Sequence, residues 1–444
     1  MNLIKFNGVY KDYIWGGTKL NSKYSKNSGF EKTAESWELS VHPDGESVIS
    51  GGVYDGMCLS EYIKQNPSVL GTSRKTDELP ILIKLIDAED NLSVQVHPDD
   101  EMSKKFENQK GKTEMWYVVE ADSDAKIVFG VQEYITKDEL KNAILSNTVE
   151  DLLNSVPSKK GDVFFVEAGT IHAIGKGNLI AEIQQNSNVT YRLYDYDRRD
   201  RYGNSRELHI EKGVMASITQ KQEKRIIPRC SDGTRLIASC EHFVVKELFV
   251  KEASQMVCRK ESYQALICVD GKIEISNECE TKNLNVGETA FIPAGFGEYT
   301  LKGIGTILIT ENPPKYFSII CFIKTNISSA VIDEFGNIYG RAIRKNVIPR
   351  PYNEIFDDMA LCAKEAAYNS GIKWENIESV SIDSPGSISN NTSNNQFLKS
   401  VDCHDVYLTD YMENTLDKKI FIEDDGDYTA WMNMFQGETK IRIV

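Results

Sequence analysis

Short apolar runs separated by polar turns recur through the first 240 residues. Residues 79–86, 92–98, 115–120 and 162–166 are rich in β-branched, leucine and aromatic side chains. Runs of this length and composition, bounded by turn residues, predict β-strands. The first half of the chain is therefore expected to be mainly β.

One segment departs from that pattern. Between residues 136 and 155, apolar side chains recur three or four positions apart, which predicts a helix. Thr136 followed by Glu139 is typical of a capping box at its start. We therefore expect a helical insertion at 136–155 within the β-rich region.

Residues 240–310 form a second β-rich stretch. Asp270 and Gly271 stand between two apolar runs there and predict a hairpin turn. The Pro313-Pro314 pair then indicates a boundary between domains.

The chain beyond this boundary mixes helical and strand patterns, which is typical of an α/β domain. A helix is predicted at 353–369, with Gly371 as its stop signal. The remaining predicted elements are two strands within 319–332, a strand at 380–382, a helix at 406–416 and a strand at 419–423.

Composition and charge exclude several classes of function but do not identify one. The 444 residues carry a net charge of −15, and no basic stripe of the kind that binds nucleic acid or anionic lipid is visible. The N-terminus lacks the apolar core of a signal peptide, and the apolar run 316–323 is too short to span a bilayer. Nine cysteines without a C-x-x-C pair indicate reduced thiols and a cytoplasmic protein.

Four side chains in the β-rich region have the chemistry of a metal site. Gln95 and His97 lie two apart on a predicted strand, so both project from one face. Glu114 and His172 follow next to two further predicted strands. Two imidazoles, a carboxylate and an amide oxygen suit Zn²⁺ or a similar divalent ion. The other four histidines, His42, His209, His242 and His404, are expected to be structural.

These motifs resemble the cupin signature, and residues 1–312 resemble a class I (type I) mannose-6-phosphate isomerase. The matching stretches begin at Tyr13, Ala34, Val41, Ile83, Leu92, Gly111, Ala168 and Glu182, and they follow the order of the family. The resemblance implies two cupin jelly-roll domains and a zinc-dependent interconversion of mannose 6-phosphate and fructose 6-phosphate through a cis-enediol. It also implies that Gln95, His97, Glu114 and His172 hold the metal.

The resemblance assigns roles to further residues. Lys112 matches the family's proton-transfer lysine, and Arg192 matches its active-site arginine, which suits stabilisation of an enediolate. Lys84 lies in an apolar run and is interpreted as a substrate contact, with phosphate as one candidate group. Glu35 is a second candidate for the substrate pocket. Asn188 stands where relatives often carry an aspartate proposed to help open the sugar ring.

The resemblance also divides the chain. Residues 1–239 are expected to form the catalytic, metal-binding cupin domain, and residues 240–312 a second cupin-like β domain. That second domain is expected to bind no metal, because Glu298 occupies the histidine position of its motif.

Residues 316–435 resemble the first lobe of a ROK-family sugar kinase, which implies an actin-like, RNase-H-type α/β lobe within residues 313–444. Its phosphate loop is replaced by residues 321–325, which lack the family's aspartate and glycines. Asp425 falls at the position of the catalytic base, and Asn394, Asn395 and Phe397 match a further motif. A degenerate lobe used for packing, homo-oligomerisation or sugar sensing is expected.

Two other functions remain open from the sequence. Asn188 is compatible with a cupin isomerase for another hexose phosphate, such as glucose 6-phosphate. It is also compatible with a non-catalytic sensor of sugar phosphates. A pure sensor has little need for a metal site together with Lys112 and Arg192, so an isomerase is favoured.

Overall fold

The computed structural model describes residues 2–73, 78–199, 203–222, 234–323, 326–347, 350–383 and 408–423. The chain divides into two compact units. Unit 1 contains residues 1–228 and 245–312, and unit 2 contains residues 229–244 and 313–444. Among the described residues, no helix combines the length and apolar character needed to cross a membrane.

Unit 1 is built mainly from short strands. They are β1 (Ile4–Asn7), β2 (Val9–Lys11), β3 (Glu35–Leu39), β4 (Val48–Ser50), β5 (Ile81–Asp87), β6 (Val94–Val96), β7 (Glu114–Ala121), β8 (Lys126–Val131), β9 (Leu153–Pro157), β10 (Val163–Val166), β11 (His172–Ile174), β12 (Asn178–Gln185), β13 (Tyr191–Tyr194), β15 (Val244–Val250), β16 (Ala253–Cys258), β17 (Gln264–Ser276), β18 (Thr281–Asn285), β19 (Thr289–Ile292) and β20 (Gly297–Glu311). Its helices are α1 (Lys19–Ser22), α2 (Leu59–Gln65), α3 (Asp100–Glu107), α4 (Lys137–Leu145) and α5 (Ile210–Ala216).

Two of the sheets in unit 1 share one core. The first runs in the order β10-β7-β12-β5-β3-β2, and the second in the order β13-β6-β11-β8-β9. Trp116 and Phe164 from the first sheet pack in one buried cluster with Ile127, Phe129 and Ile174 from the second. The apolar faces of the two sheets are thus removed from water against each other, which is the main stabilisation of such a fold.

A third sheet joins the two ends of unit 1. Its strands run in the order β15-β20-β17-β19-β1-β4, with β16 beside β20 and β18 beside β17. The N-terminal strand β1 pairs with β19, where Ile4 lies opposite Phe291. The strands β1 and β4 from the N-terminal part of the chain therefore extend a sheet whose other strands in unit 1 lie within residues 244–311.

The predicted hairpin at Asp270-Gly271 is wrong. β17 continues through both residues and pairs with β20 along its length, with a bulge after Cys268. Gly271 has a φ of 75°, and a Cβ there would collide with the carbonyl oxygen of Ile304. The Asp-Gly signal thus marks a bulge, which needs the same positive φ as a tight turn.

The predicted helix at 136–155 is too long. Its capping box is confirmed, since Thr136 and Glu139 exchange both hydrogen bonds, but α4 ends at Leu145. Asn147 then adopts a left-handed φ of 61°, and the chain enters β9 at Leu153, which pairs with β8. Tertiary strand pairing therefore overrides the helical spacing of the last apolar residues.

Unit 2 contains β14 (Thr234–Ser239), β21 (Tyr316–Ile323), β22 (Asn326–Asp333), β23 (Ile338–Lys345), β24 (Ile377–Asp383), β25 (Lys419–Glu423), α6 (Tyr352–Ser370) and α7 (Leu408–Leu416). Its mixed sheet runs in the order β23-β22-β21-β24-β25, antiparallel through β21 and parallel beyond it. Phe356, Met359 and Ala363 of α6 pack on this sheet.

Most predicted elements of unit 2 are found. The α6 helix ends at Ser370, and Gly371 follows it with the expected left-handed φ of 75°. β23 was not anticipated from the sequence pattern. Lys324, Thr325, Asn394, Asn395, Phe397, His404 and Asp425 lie outside the described residues.

Candidate metal centre and active site

The two histidines of the predicted metal site come from adjacent strands of the same sheet. His97 directly follows β6, and His172 begins β11. These strands are antiparallel, and His172 lies directly opposite Gln95. Directly opposite residues share a face of the sheet. The Gln-x-His spacing therefore places Gln95, His97 and His172 on one face.

Glu114 approaches from the other sheet, where it begins β7. One nitrogen of each histidine and a carboxylate oxygen of Glu114 all lie within 4.8 Å of one another. Glu114 and His172 are fully buried, and His97 is 1% exposed. The structure thus brings together three of the four predicted ligands, and the strand register places Gln95 beside them.

The hydrogen bonds of the histidines fix which nitrogens face the centre. His97 Nδ1 lies 2.9 Å from the carbonyl oxygen of Val189, and His172 Nδ1 lies 2.7 Å from that of Thr170. A carbonyl oxygen only accepts, so each Nδ1 carries a proton and donates. In the neutral rings both Nε2 atoms then carry lone pairs, and they face each other at 3.1 Å.

This arrangement fits a metal ion. Two lone pairs at that distance repel unless a cation lies near both. In metal-binding histidines, the ring nitrogen that does not bind the metal usually donates its N–H to a carbonyl or carboxylate, as both histidines do here. Glu114 Oε1 is buried and accepts no hydrogen bond from a described residue, so it too offers a free lone pair. The donor set of two imidazoles and a carboxylate suits Zn²⁺.

Among the described residues, Lys112 is the cation closest to this cluster. Its Nζ lies 2.8 Å from Glu114 Oε2 and 3.1 Å from His97 Nε2, and the side chain is buried. Burial alone would raise the pKa of Glu114, but Lys112 and His97 hold it well below its usual range. The centre therefore combines an ionised carboxylate with an amine that can donate or accept a proton.

Lys84 lies in a row of side chains that crosses four strands of the first sheet. The register places Trp37 opposite Lys84, Lys84 opposite Glu182, and Glu182 opposite Trp116. Lys84 Nζ lies 3.4 Å from Glu182 Oε1 and 4.9 Å from the centre of the Trp37 ring. The indole N–H of Trp116 donates to Glu182 Oε2 at 2.9 Å.

Glu35, whose backbone lies opposite Ile86, provides a second carboxylate near Lys84. Its Oε2 accepts a 2.6 Å hydrogen bond from the indole of Trp37 and lies 3.7 Å from Lys84 Nζ. Burial alone would lower the pKa of Lys84, but the charges of Glu35 and Glu182 outweigh it and raise the pKa. Lys84 is thus held as an ammonium ion between two buried carboxylates.

Arg192 lies in the row of the metal ligands on the other sheet. It stands on β13 directly opposite Gln95, which itself stands opposite His172. Its Nη1 donates to the carbonyl oxygen of Glu207 at 2.9 Å, and Nε contacts Ser93 Oγ at 3.4 Å. The register thus brings Arg192 to the predicted site, and these contacts hold its guanidinium.

Asn188 is exposed, and its Nδ2 donates to Asp44 Oδ2 at 3.0 Å. This contact joins two parts of the chain that are 144 residues apart in sequence. Asn188 immediately precedes Val189, the residue that orients His97. Asn188, which replaces the aspartate expected from the family resemblance, therefore contacts a carboxylate from elsewhere in the chain.

Sequence reasoning missed Glu182 and Asp44 as residues of this region. Glu182 had a usable signal, because it is a carboxylate within the apolar run of β12, just as Lys84 is a cation within β5. Asp44 lies in a stretch that resembles the family, but its carboxylate is part of an ordinary His-Pro-Asp-Gly turn and meets Asn188 only through the fold.

The buried histidines predict a pH-dependent stability for the metal-free protein. Burial, assisted by the charge of Lys112, lowers the pKa of His97 from 6.5 to about 3. Between these pH values the unfolded chain binds a proton that the folded chain does not. His97 alone should therefore make the free energy of unfolding fall by about 1.4 kcal/mol per pH unit as the pH drops from 6.5 towards 3.

This dependence is measured by urea unfolding in the presence of a chelator. The matched comparison is His97→Gln, which removes the titrating group, so its free energy of unfolding should fall less steeply over the same interval. Parallel curves for the two proteins would contradict the assignment.

The fold and the site define a class of protein before any relative is considered. A buried His-Glu-His cluster between two packed β-sheets, with a lysine against it, is the arrangement expected of a metal-dependent enzyme of the cupin type. Comparison with known families agrees. Residues 3–134 match the phosphomannose isomerase type I catalytic domain, and residues 232–312 match the mannose-6-phosphate isomerase cupin domain.

Individual relatives make the assignment specific. The chain is 35% identical over 311 residues to the mannose-6-phosphate isomerase ManA of Bacillus subtilis, which covers 69% of this chain and 98% of the relative. The chain therefore belongs to the type I mannose-6-phosphate isomerase family, and it is an enzyme of that family.

Solved structures agree with the fold. The crystal structure of the mannose 6-phosphate isomerase from Bacillus subtilis matches with a TM-score of 0.66 and 33% identity, over 70% of this chain and 99% of that one. A zinc-bound mannose 6-phosphate isomerase matches with a TM-score of 0.59 at 17% identity, over 70% of this chain and all of the other, and supports the fold alone.

Proposed function

We propose that this chain interconverts mannose 6-phosphate and fructose 6-phosphate through a cis-enediol, using a single Zn²⁺ ion. The observation that carries the proposal is the buried cluster of His97, Glu114 and His172 with Lys112 against it, in a chain of the type I mannose-6-phosphate isomerase family. An aldose and its ketose differ by a proton moved between C1 and C2. The site therefore has to stabilise oxyanions and carry one proton.

His97, Glu114 and His172 would hold the metal, with the amide oxygen of Gln95 as a fourth ligand. The lone pairs of the two Nε2 atoms and the free Glu114 oxygen support this assignment. When bound, the ion supplies Lewis-acid polarisation of the substrate oxygens at C1 and C2. Another divalent ion with similar preferences would fit the same donors.

Lys112 is the group we propose to carry the proton between C1 and C2. It is buried, so the transfer is shielded from bulk water. It also lies on the metal cluster, within 3.1 Å of His97 Nε2, where a substrate bound at the cluster would meet it. A general base has to reach the proton it removes, and this position meets that requirement.

Arg192 and Lys84 are proposed to contact the substrate. Arg192 is always charged, so it can stabilise the negative charge of the enediolate but cannot act as a base. Lys84 lies between Glu35 and Glu182, whose charges would repel a phosphate group. We therefore propose that Lys84 and Glu35 contact sugar hydroxyls, and that Asn188 lies at the rim of the same pocket.

The remaining assignments concern the domains and their setting. We propose a catalytic cupin domain at 1–239, a metal-free cupin-like domain at 240–312 and a degenerate ROK-kinase-like, actin-like lobe at 313–444. The mixed sheet of unit 2, with α6 packed on it, supports the last of these. We further propose that the lobe serves homo-oligomerisation. We also propose that the protein is cytoplasmic, because nine cysteines without a C-x-x-C pair are typical of reduced thiols.

The proposal is tested by incubating the purified full chain with mannose 6-phosphate and following fructose 6-phosphate with a coupled assay. Ketose formation that a chelator abolishes and Zn²⁺ restores is the expected result. Failure to turn over this substrate with Zn²⁺ bound would overturn the proposal. Parallel assays with glucose 6-phosphate would then test the other isomerase.

A further inference from the structure

An isomerase for hexose phosphates faces a step that Lys112 and the metal ligands do not explain. In water a hexose phosphate is closed into a hemiacetal ring, whereas proton transfer between C1 and C2 needs the open chain. To open the ring, a base has to take the proton from the hydroxyl at C1. The following inference rests on the proposed function and assigns that base.

Asn188 ties Asp44 to the segment that orients one of the metal ligands. The amide of Asn188 donates to Asp44 Oδ2 at 3.0 Å, and the next residue, Val189, accepts the hydrogen bond from His97 Nδ1 at 2.9 Å. Consecutive Cα atoms are about 3.8 Å apart, so only a short stretch of backbone separates the Asp44 contact from the ligand contact.

The turn that carries Asp44 is anchored from the other side to the row of Lys84. The backbone N–H of Asp44 donates to His42 Nδ1 at 3.1 Å, and the His42 ring packs edge-on against Trp37 at 5.9 Å between ring centres. Trp37 lies directly opposite Lys84. Lys11 Nζ also donates to the carbonyl oxygen of Asp44 at 2.6 Å, which fixes the turn further.

The carboxylate of Asp44 remains accessible. Its side chain is 57% exposed, whereas that of His42 beneath it is 11% exposed. Burial lowers the pKa of His42, and Asp44 and Lys84 both act on its charge, which agrees with a position between the turn and the buried row. Asp44 therefore presents an accessible carboxylate that Asn188 orients, on a turn that packs through His42 against Trp37.

We propose that Asp44, oriented by Asn188, is the general base that opens the sugar ring. Its carboxylate takes the proton from the hydroxyl on C1, and the O–H electron pair forms the second bond of the C1 carbonyl. The bond between C1 and the ring oxygen breaks, and its electron pair goes to the ring oxygen, which takes a proton from water. Asp44 returns its proton to water, so the net change is an isomerisation.

This step can be measured apart from ketose formation. The α and β anomers of mannose 6-phosphate interconvert through the open chain, so their exchange rate, followed by NMR exchange spectroscopy, reports ring opening. Lys112→Ala is expected to retain enzyme-catalysed exchange while losing isomerisation. Asp44→Asn is expected to lower the catalysed exchange about 10²-fold, the lower end of general-base effects.

The chain offers a reciprocal control. The double variant Asp44→Asn/Asn188→Asp moves the carboxylate across the same hydrogen bond and should recover exchange to within about tenfold of the wild type. Asp12→Asn, which changes a neighbouring exposed carboxylate, should leave exchange unchanged. Thermal unfolding of each variant establishes that it is folded under the conditions of the assay.

Wild-type exchange in Asp44→Asn, or a swapped variant as slow as Asp44→Asn, would overturn the inference. Because anomer exchange does not depend on ketose formation, its outcome is separate from that of the proposed function. A wild-type protein that exchanges anomers but forms no fructose 6-phosphate would overturn the isomerase and leave this assignment standing.

Discussion

The Lys112→Ala variant is expected to lose between about 10² and 10⁴ of the wild-type kcat with mannose 6-phosphate, the range typical of a removed general acid–base group. Lys112 contacts both Glu114 and His97. No other described lysine lies as close to the metal cluster at which the substrate would bind. Bound Zn²⁺, measured by elemental analysis, and the affinity for mannose 6-phosphate should change little.

Lys110→Ala is the matched control for this variant. Lys110 lies two residues earlier, and its ammonium group pairs at the surface with Glu78. Its replacement should leave kcat within about twofold, because exposed ion pairs contribute little. If the folded, metal-bound Lys112→Ala variant turned over substrate like the wild type, Lys112 would not be the proton carrier. The alternative function as a sensor of sugar phosphates would then have to be reconsidered.

His172→Ala should lose both the metal and the activity. His172 offers one of three buried ligand atoms, and its Nδ1 is already committed to Thr170. A metal that stabilises developing charge contributes several kcal/mol to catalysis. Loss of about 4 kcal/mol corresponds to about a 10³-fold fall in kcat/KM. The expected result is less than one-tenth of the wild-type zinc content and at least that loss of activity.

His242→Ala is the matched control for the histidine, since His242 lies in unit 2. It should retain the zinc and the activity of the wild type. A His172→Ala protein that still bound one zinc per chain and remained active would contradict the assignment of the centre to this cluster.

The metal centre was the most predictable part of the molecule. Gln95 and His97 share a strand face by simple alternation, and the motif around His172 fixed the second histidine. The resemblance to a known family then indicated that these residues and Glu114 hold one metal ion. The β-rich character of residues 1–312 could be predicted from short apolar runs, because the local pattern of apolar and polar residues is enough to recognise such strands.

Features that depend on pairing between distant segments were not predictable. Asp270-Gly271 needs a positive φ in a hairpin and in a bulge alike, and only the pairing of β17 with β20 decides between them. Leu153 fits a helical face equally well, but pairing with β8 makes it the start of a strand. The contact between Asp44 and Asn188 likewise exists only once the fold has brought residues 144 positions apart together.

The central claim is that the cluster of His97, Glu114 and His172 makes the protein a metal-dependent isomerase. The most direct test is to prepare the metal-free full chain, titrate it with Zn²⁺, and measure bound zinc and conversion of mannose 6-phosphate on the same samples. Activity should rise in proportion to bound zinc and level off at one ion per chain. Full activity in the metal-free protein, or one bound zinc without any turnover, would contradict it.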